Sequence, residues 1–209
     1  MKTAIKVCGL TSVEDARMVT DAGADFLGFI FYPKSPRALS VDGFREIRKA
    51  LPGKPWVYVQ VNPEAGELQR ALEEGFALFQ VHCTPEVAEA SLPHWLEEVG
   101  SERLWLALKR SAEQPVPAAF LEKVETFLVD TYRAAGFGGT GETGDWGAFR
   151  QLASRHPGKK WVLAGGLGPD NVREAVSRSG ARIIDVNSGV ESAPGRKDRG
   201  LVQRLFEAL

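Results

Sequence analysis

Short apolar runs alternate with amphipathic segments along the whole chain. Between the runs, segments such as "SVDGFREIRKAL" and "NPEAGELQRALEEG" carry apolar residues every three to four positions, which predicts helices. The segment "TSVEDARMVTDAG" opens with Thr and Ser and stops at Gly23, and "GPDNVREAVSRSG" opens with Pro169 and stops at Gly180. Eight runs predict strands, at 4–9, 26–32, 55–61, 78–83, 103–109, 126–132, 161–167 and 183–190.

Strand and helix alternation of this kind requires parallel strands joined by crossover helices. The chain has 209 residues, so eight units have about 26 residues each, close to the minimum for a strand, a helix and two short loops. This arithmetic favours a compact (β/α)8 TIM barrel over an open sheet of six strands. We therefore expect an α/β fold with residues 1–209 in a single (β/α)8 barrel domain.

Polar residues stand at the ends of several strands, where barrels gather their chemistry. Because side chains alternate along a strand, Lys6 and Cys8 should share the inner face. Gln80 and His82 should do the same, which sends Cys83 outward into the helix layer. By the same alternation, four residues should converge at one mouth of the barrel: Cys8, His82, Asp130 and Asp185.

Three glycine-rich segments follow the sixth, seventh and eighth runs, at 136–141, 164–169 and 187–191. Glycine lets the backbone approach a ligand, and exposed N–H groups bind anions without a Lys or Arg. Barrels often hold a phosphate in the last two of these loops, with a short extra helix for which "SGVESAPG" is suitable. We expect phosphate contacts from Gly138, Gly139, Gly141, Gly165, Gly166, Ser188 and Gly189.

The composition of the chain limits the kinds of molecule that it is expected to bind. Lys and Arg total 26 against 27 Asp and Glu, without a basic block, so a small phosphorylated substrate is favoured over nucleic acid. The N-terminus has no export signal and no run is long enough to span a membrane, which predicts a cytoplasmic protein with reduced Cys8 and Cys83. Rossmann and Walker glycine spacings are absent, so NAD and ATP are not expected.

The chain resembles the phosphoribosylanthranilate isomerase family of tryptophan biosynthesis. The resemblance runs from the first strand to the last helix, and is carried by "KVCGLT", "EDA", "GADFLGFIFYPKSPR", "QVHC", "FLVDT", "GGTGETGDW", "LAGGLGPDNV" and "DVNSGVESAPGRKD". It implies an Amadori rearrangement of N-(5'-phosphoribosyl)anthranilate without cofactor or metal. Cys8 would be the general base at C2 of the sugar, Asp130 the general acid at the ring oxygen, and Arg37 the contact to anthranilate. His82 and Asp185 are expected to contact the substrate.

The chemistry supports these residue types. Ring opening needs a proton donor, which an Asp in a partly desolvated position can supply, and a thiol base needs help to form a thiolate, for which Lys6 is suitably placed. Three alternatives stay open: an indole-glycerol-phosphate synthase-like enzyme, a non-catalytic phosphosugar-binding barrel, and a metal hydrolase. The first needs lysines at strand ends, where only Lys6 and Lys109 are found; the last lacks ligand pairs at short spacing. The oligomeric state is open, a homodimer included.

Overall fold

The computed structural model of the protein describes residues 2–51, 53, 55–109, 115–130 and 145–209. Within these residues, eight parallel strands pair in chain order and the last pairs with the first, which closes a barrel. The strands are β1 (Ala4–Val7), β2 (Phe26–Ile30), β3 (Trp56–Val61), β4 (Leu78–Cys83), β5 (Leu104–Leu108), β6 (Thr126–Asp130), β7 (Lys160–Ala164) and β8 (Ile183–Val186). The TIM-barrel prediction is confirmed.

Helices follow the strands on the outside of the barrel. They are α1 (Val13–Ala22), α2 (Val41–Ala50), α3 (Glu67–Glu73), α4 (Pro85–Val99), α5 (Ala118–Lys123), α6 (Trp146–Arg155), α7 (Val172–Ser179) and α8 (Arg199–Glu207). In α1 the hydroxyl of Ser12 accepts a hydrogen bond from the N–H of Asp15, and left-handed Gly23 ends the helix as predicted. Pro169 lies before α7 rather than in it, because Asn171 is the N-cap residue. No helix in the described part of the chain is long and apolar enough to cross a membrane.

The predicted strands at 161–167 and 183–190 are too long at their carboxyl ends. Strand β7 stops at Ala164 because Gly165 and Gly166 have φ angles of 103° and 62°, outside the extended region. Beyond β8, Ser188–Val190 forms a 3-10 helix, so the predicted extra helix is only three residues long. An antiparallel hairpin that the sequence pattern did not predict follows, made of β9 (Glu191–Ala193) and β10 (Arg196–Lys197).

Side chains on the strands alternate between two buried layers. Ile5 and Val7 pack outward into the main core between barrel and helices, as do Phe79, Val81 and Cys83. Cys8 packs inside the barrel with Val57 and Val59. The predicted alternation of β1 and β4 is therefore confirmed, and it brings Lys6 and Cys8 to the interior.

Candidate active site

A cavity of about 410 Å³ opens at the carboxyl ends of the strands. It is lined by Cys8, Ile30, Val59, Gln80, His82, Leu128, Asp130, Ala164, Gly165, Gly166, Leu167, Asp185, Asn187 and Ser188. The four polar residues predicted to converge at the mouth, from β4, β6, β8 and the end of β1, all line this one cavity.

Cys8 follows β1 directly and is held in place by its backbone and by a glycine on the next strand. Its N–H donates to the carbonyl oxygen of Val186, 2.8 Å away, and the residue is 3% exposed. A Cβ added at Gly28 would lie 2.9 Å from Cys8 Sγ and 3.0 Å from Lys6 Cε and Nζ. Because real Cβ atoms do not approach other atoms so closely, Gly28 makes the room in which the thiol and the Lys6 amine lie side by side.

Lys6 and Asp185 form a buried ion pair beneath the cavity. Lys6 Nζ lies 2.8 Å from each carboxylate oxygen of Asp185, and the lysine side chain is fully buried. Burial favours the neutral amine, but the charge and hydrogen bonds of Asp185, together with smaller effects of Cys8, outweigh it and raise the pKa of Lys6 above its ordinary value. Asp185 is predicted to bind substrate, but in this structure both of its carboxylate oxygens accept hydrogen bonds from Lys6.

The ion pair affects the Cys8 thiol in two opposite ways. Burial raises the pKa of Cys8 above its ordinary value, the Lys6 cation lowers it again, and the Asp185 carboxylate partly cancels that effect of Lys6. The net result is a raised pKa, so Cys8 rests as a neutral thiol near neutral pH. The adjacent cation is in position to stabilise the thiolate when a proton leaves.

His82 is a neutral ring in the cavity wall. Burial and the nearby Lys6 cation lower the pKa of His82 to about 4, although the Asp185 carboxylate acts in the opposite direction. The amide nitrogen of Gln80 lies 2.8 Å from His82 Nε2. With the Gln80 amide in this orientation, its nitrogen donates and Nε2 accepts, which assigns the ring proton to Nδ1. Gln80 Oε1, although buried, has no hydrogen-bond partner among the described residues.

Asp130 ends β6 on the cavity side, on the same face as Leu128, as predicted. Asp130 is exposed and is the last residue of the strand, above the apolar inner layer that includes Leu128 and Val162.

The two described glycine-rich loops press against each other at the rim. A Cβ at Gly189 would lie 2.0 Å from the carbonyl oxygen of Leu167, so only glycine allows this contact. Asn171 holds the β7–α7 loop with two hydrogen bonds, accepting from the N–H of Gly168 and donating to the carbonyl oxygen of Gly166, each 2.9 Å long. Gly165, Gly166 and Ser188 line the cavity, and Gly189 packs against Leu167 and Gly168. Gly138, Gly139 and Gly141 lie outside the described residues.

Arg37 lies at the edge of the site, in an ion pair. Its Nη2 is 2.6 Å from Glu191 Oε2, and its side chain is 19% exposed. Arg37 Cδ lies 2.8 Å from the position that a Cβ at Gly9 would occupy, so the side chain crosses the residue next to Cys8.

A family model described as N-(5'phosphoribosyl)anthranilate (PRA) isomerase matches residues 5–208. The chain belongs to this family. The isomerase of Citrifermentans bemidjiense is 39% identical over 208 residues, which cover 98% of this chain and 95% of that protein.

Solved structures of PRA isomerases match almost the whole barrel. One, in complex with reduced 1-(o-carboxyphenylamino)-1-deoxyribulose 5-phosphate, has a TM-score of 0.75 and 29% identity, covering 99% of this chain and 97% of that one. Another, of monomers of the dimeric enzyme from Thermotoga maritima, has a TM-score of 0.74 and 30% identity, with the same coverage.

The protein is thus an enzyme of tryptophan biosynthesis, and its reaction is the aldose–ketose isomerisation of N-(5'-phosphoribosyl)anthranilate. The predicted family, fold and activity are confirmed.

Several residues close to the cavity were not predicted from the sequence. Glu191 and Lys197 lie within "DVNSGVESAPGRKD", where the glycines and Ser188 drew attention first. Two charged residues inside a glycine-rich segment were the available signal. Gly28 was likewise overlooked, although an isolated glycine in an apolar strand often marks a close approach by another group.

Proposed function

We propose that Cys8 and Asp130 are the general base and the general acid of the isomerisation. The observation that supports this most directly is the position of Cys8, whose thiol lies beside the Lys6–Asp185 pair in the wall of the cavity that Asp130 also lines. Cys8 is a neutral thiol at rest, so it acts as a base after its proton has passed to solvent, and the adjacent Lys6 cation stabilises the thiolate that remains.

The proton transfers balance within the substrate. Asp130 donates a proton to the ribose ring oxygen as its bond to C1 breaks, and the anilino nitrogen forms a C1=N iminium. The Cys8 thiolate then removes the proton from C2, and the electron pair of that C–H bond forms C1=C2 and neutralises the iminium. The resulting enolamine becomes a ketone when the C2 hydroxyl loses its proton to the Asp130 carboxylate and C1 gains one from the Cys8 thiol, which returns both residues to their starting states. No oxidant, reductant or added atom is needed.

Substrate binding divides between two ends of the site. We assign the phosphate to the backbone N–H groups of the loops that hold Gly165, Gly166 and Ser188, with Gly189 shaping the second loop. This is supported by the first three lining the cavity at the rim. We assign the anthranilate carboxylate to Arg37, which crosses beside Cys8.

The polar wall between these two ends faces the sugar. We propose that neutral His82 donates from Nδ1 to a sugar oxygen, and that Asp185 acts through its hold on Lys6.

Two further proposals concern the state of the enzyme. A homodimer is supported by the dimeric relative from Thermotoga maritima, and light scattering on the purified protein tests it. A cytoplasmic location is supported by the two free cysteines, Cys8 and Cys83.

The decisive experiment compares Cys8→Ala and Asp130→Ala with Cys83→Ala in steady-state kinetics on N-(5'-phosphoribosyl)anthranilate. Loss of either acid–base partner should lower kcat by roughly 10² to 10⁴-fold. Cys83 is the matched control. It is also a free, buried cysteine at the end of a strand, but its side chain faces the helix layer and not the cavity. Near-normal turnover by either of the first two variants would contradict the assignment, as would growth without tryptophan of an isomerase-deficient strain that carries it.

A further inference from the structure

Glu191, the first residue of the unpredicted hairpin, is the centre of a buried ionic cluster. Its carboxylate is 4% exposed and accepts hydrogen bonds from two cations, Arg37 and Lys197. Burial opposes ionisation of Glu191, but these hydrogen bonds outweigh it and lower its pKa below the ordinary value. Glu191 is therefore a carboxylate at neutral pH, held beside the proposed substrate-binding arginine.

The contacts use one edge of the Arg37 guanidinium completely. Nε lies 2.9 and 3.0 Å from the two oxygens of Glu191, and Nη2 lies 2.6 Å from Oε2. A guanidinium has five N–H donors in a rigid plane, and this fork uses the Nε–Nη2 edge. Among the described residues, Nη1 has no hydrogen-bond partner, so the donors of the Nη1–Nη2 edge can meet a second carboxylate.

Lys197 does not compete for that second carboxylate. Its Nζ, fully buried, lies 2.9 Å from Glu191 Oε1 and 3.1 and 3.2 Å from the side-chain and backbone oxygens of Asn187. An ammonium has three donors, and these three acceptors use them all. Glu191 is thus shared between two basic side chains, and Lys197 has already used its donors on Glu191 and Asn187.

The hairpin itself is tied to the neighbouring loops through the same carboxylate. The N–H of Gly195 donates to Glu191 Oε1 over 3.2 Å, and the hydroxyl of Thr11 donates to the carbonyl oxygen of Gly195 over 2.6 Å. Glu191 therefore links the hairpin to the β2–α2 loop, which holds Arg37, and through Gly195 to the β1–α1 loop.

We propose that Glu191 is a positioning residue for substrate recognition: it fixes the plane of the Arg37 guanidinium so that the Nη1–Nη2 edge faces the anthranilate carboxylate. This rests on the proposed role of Arg37. Because Arg37 would otherwise have to be ordered by the substrate, the fork lowers the entropic cost of binding.

Two possible roles of Glu191, competition with the substrate for Arg37 and positioning of Arg37, predict opposite changes in KM when this carboxylate is removed. If Glu191 merely competed with the substrate for Arg37, Glu191→Gln would free the cation and lower KM. If Glu191 positions Arg37, the same change raises KM, by about tenfold for one charge-assisted contact, with a much smaller change in kcat.

The test is a double-mutant cycle in steady-state kinetics with Glu191→Gln, Arg37→Ala and the double variant. We expect Glu191→Gln to raise KM about tenfold alone and less than about twofold in the Arg37→Ala background, because it acts through Arg37. Arg37→Lys should resemble Arg37→Ala, since one ammonium cannot form the fork and meet a second carboxylate. A lowered KM in Glu191→Gln, or an equal increase in both backgrounds, overturns the inference.

A second variant, Glu191→Asp, serves as the control for misfolding. Glu191→Asp keeps the charge that Lys197 needs but is one methylene shorter, so it loses the two-point fork while thermal unfolding stays close to that of the wild type. It should raise KM as Glu191→Gln does, and an unchanged KM in a folded Glu191→Asp protein counts against the proposal. If Arg37→Ala itself leaves KM unchanged, the proposed role of Arg37 fails. If only the Glu191 variants leave it unchanged, the role of Arg37 stands and the positioning role of Glu191 fails.

Discussion

Gly28→Ala places a methyl group between the proposed base and its cation. The new Cβ would lie 2.9 Å from Cys8 Sγ and 3.0 Å from Lys6 Cε and Nζ, where unstrained heavy atoms stay about 3.5–4.0 Å apart. An overlap of roughly 0.5–1 Å must be relieved by moving the thiol and the amine or by shifting β2 against β1.

Both stability and rate follow from this overlap. Overfilling a packed interior costs about 1–3 kcal/mol, and the lower entropy of the unfolded alanine chain returns about 0.4–1 kcal/mol. The free energy of unfolding should thus fall by about 0–2.6 kcal/mol, with a middle value of about 1.3 kcal/mol that corresponds to roughly 3–5 °C in Tm for a chain of this size. Displacement of the base by up to about 1 Å should lower kcat by about 10 to 10²-fold, with less effect on KM.

Thermal unfolding and steady-state kinetics on the same preparations measure the two effects. Gly158→Ala is the matched control, because no atom of the described residues lies within 4 Å of its added Cβ. That variant should stay within about 0.5 kcal/mol of the wild type and keep its kcat. A Gly28→Ala enzyme with wild-type kcat would refute the reasoning, since the thiol and the amine would then not need their present positions.

Two further predictions concern buried charge. Lys6→Met leaves the Asp185 carboxylate, 8% exposed, without its cation, and should cost about 3–5 kcal/mol in urea unfolding. The Lys6→Met/Asp185→Asn double variant should recover most of that loss, and strictly additive losses would count against the pairing. Between about pH 6.5 and pH 4 the unfolded chain binds a proton on His82 that the folded protein does not, because the folded pKa is about 4. The free energy of unfolding should therefore decrease as the pH is lowered, and the contribution of His82 at pH 5 is at most about 2 kcal/mol (about 1.5 pH units at about 1.36 kcal/mol each). His82→Gln should remove this contribution of His82 to the pH dependence of stability. Val59→Ala, which removes no titratable group, should keep it. The same pH slope in His82→Gln as in the wild type would contradict the low pKa.

The periodic part of the sequence predicted both the barrel and the inner face of its strands. A two-residue alternation is a local rule, so Lys6 and Cys8 could be assigned to the interior and Cys83 to the helix layer without knowledge of other strands. The same rule identified Asp130 and His82 as neighbours of Cys8 at the mouth. Asp185 was also located correctly, because β8 must close on β1.

Pairings between distant residues could not be obtained in this way. The fork between Arg37 and Glu191 joins residues 154 positions apart, and no local pattern indicates it. The hairpin that carries Glu191 has strands of three and two residues, too short to show periodicity. Strand ends were overestimated where glycines adopt left-handed φ, as at Gly165, because an apolar neighbour such as Leu167 extends the apparent run.

The ion pair of Lys6 with Asp185 also determines at which stage of folding the active site can form. Its partners are 179 positions apart, on the first and last strands of the barrel. While the chain is being synthesised, the cysteine emerges first, and the carboxylate that holds its neighbouring cation is added much later. The environment that tunes the thiol thus exists only after β8 has docked against β1. Recovery of activity in a refolding experiment should therefore report closure of the barrel, rather than the earlier formation of its individual strands and helices.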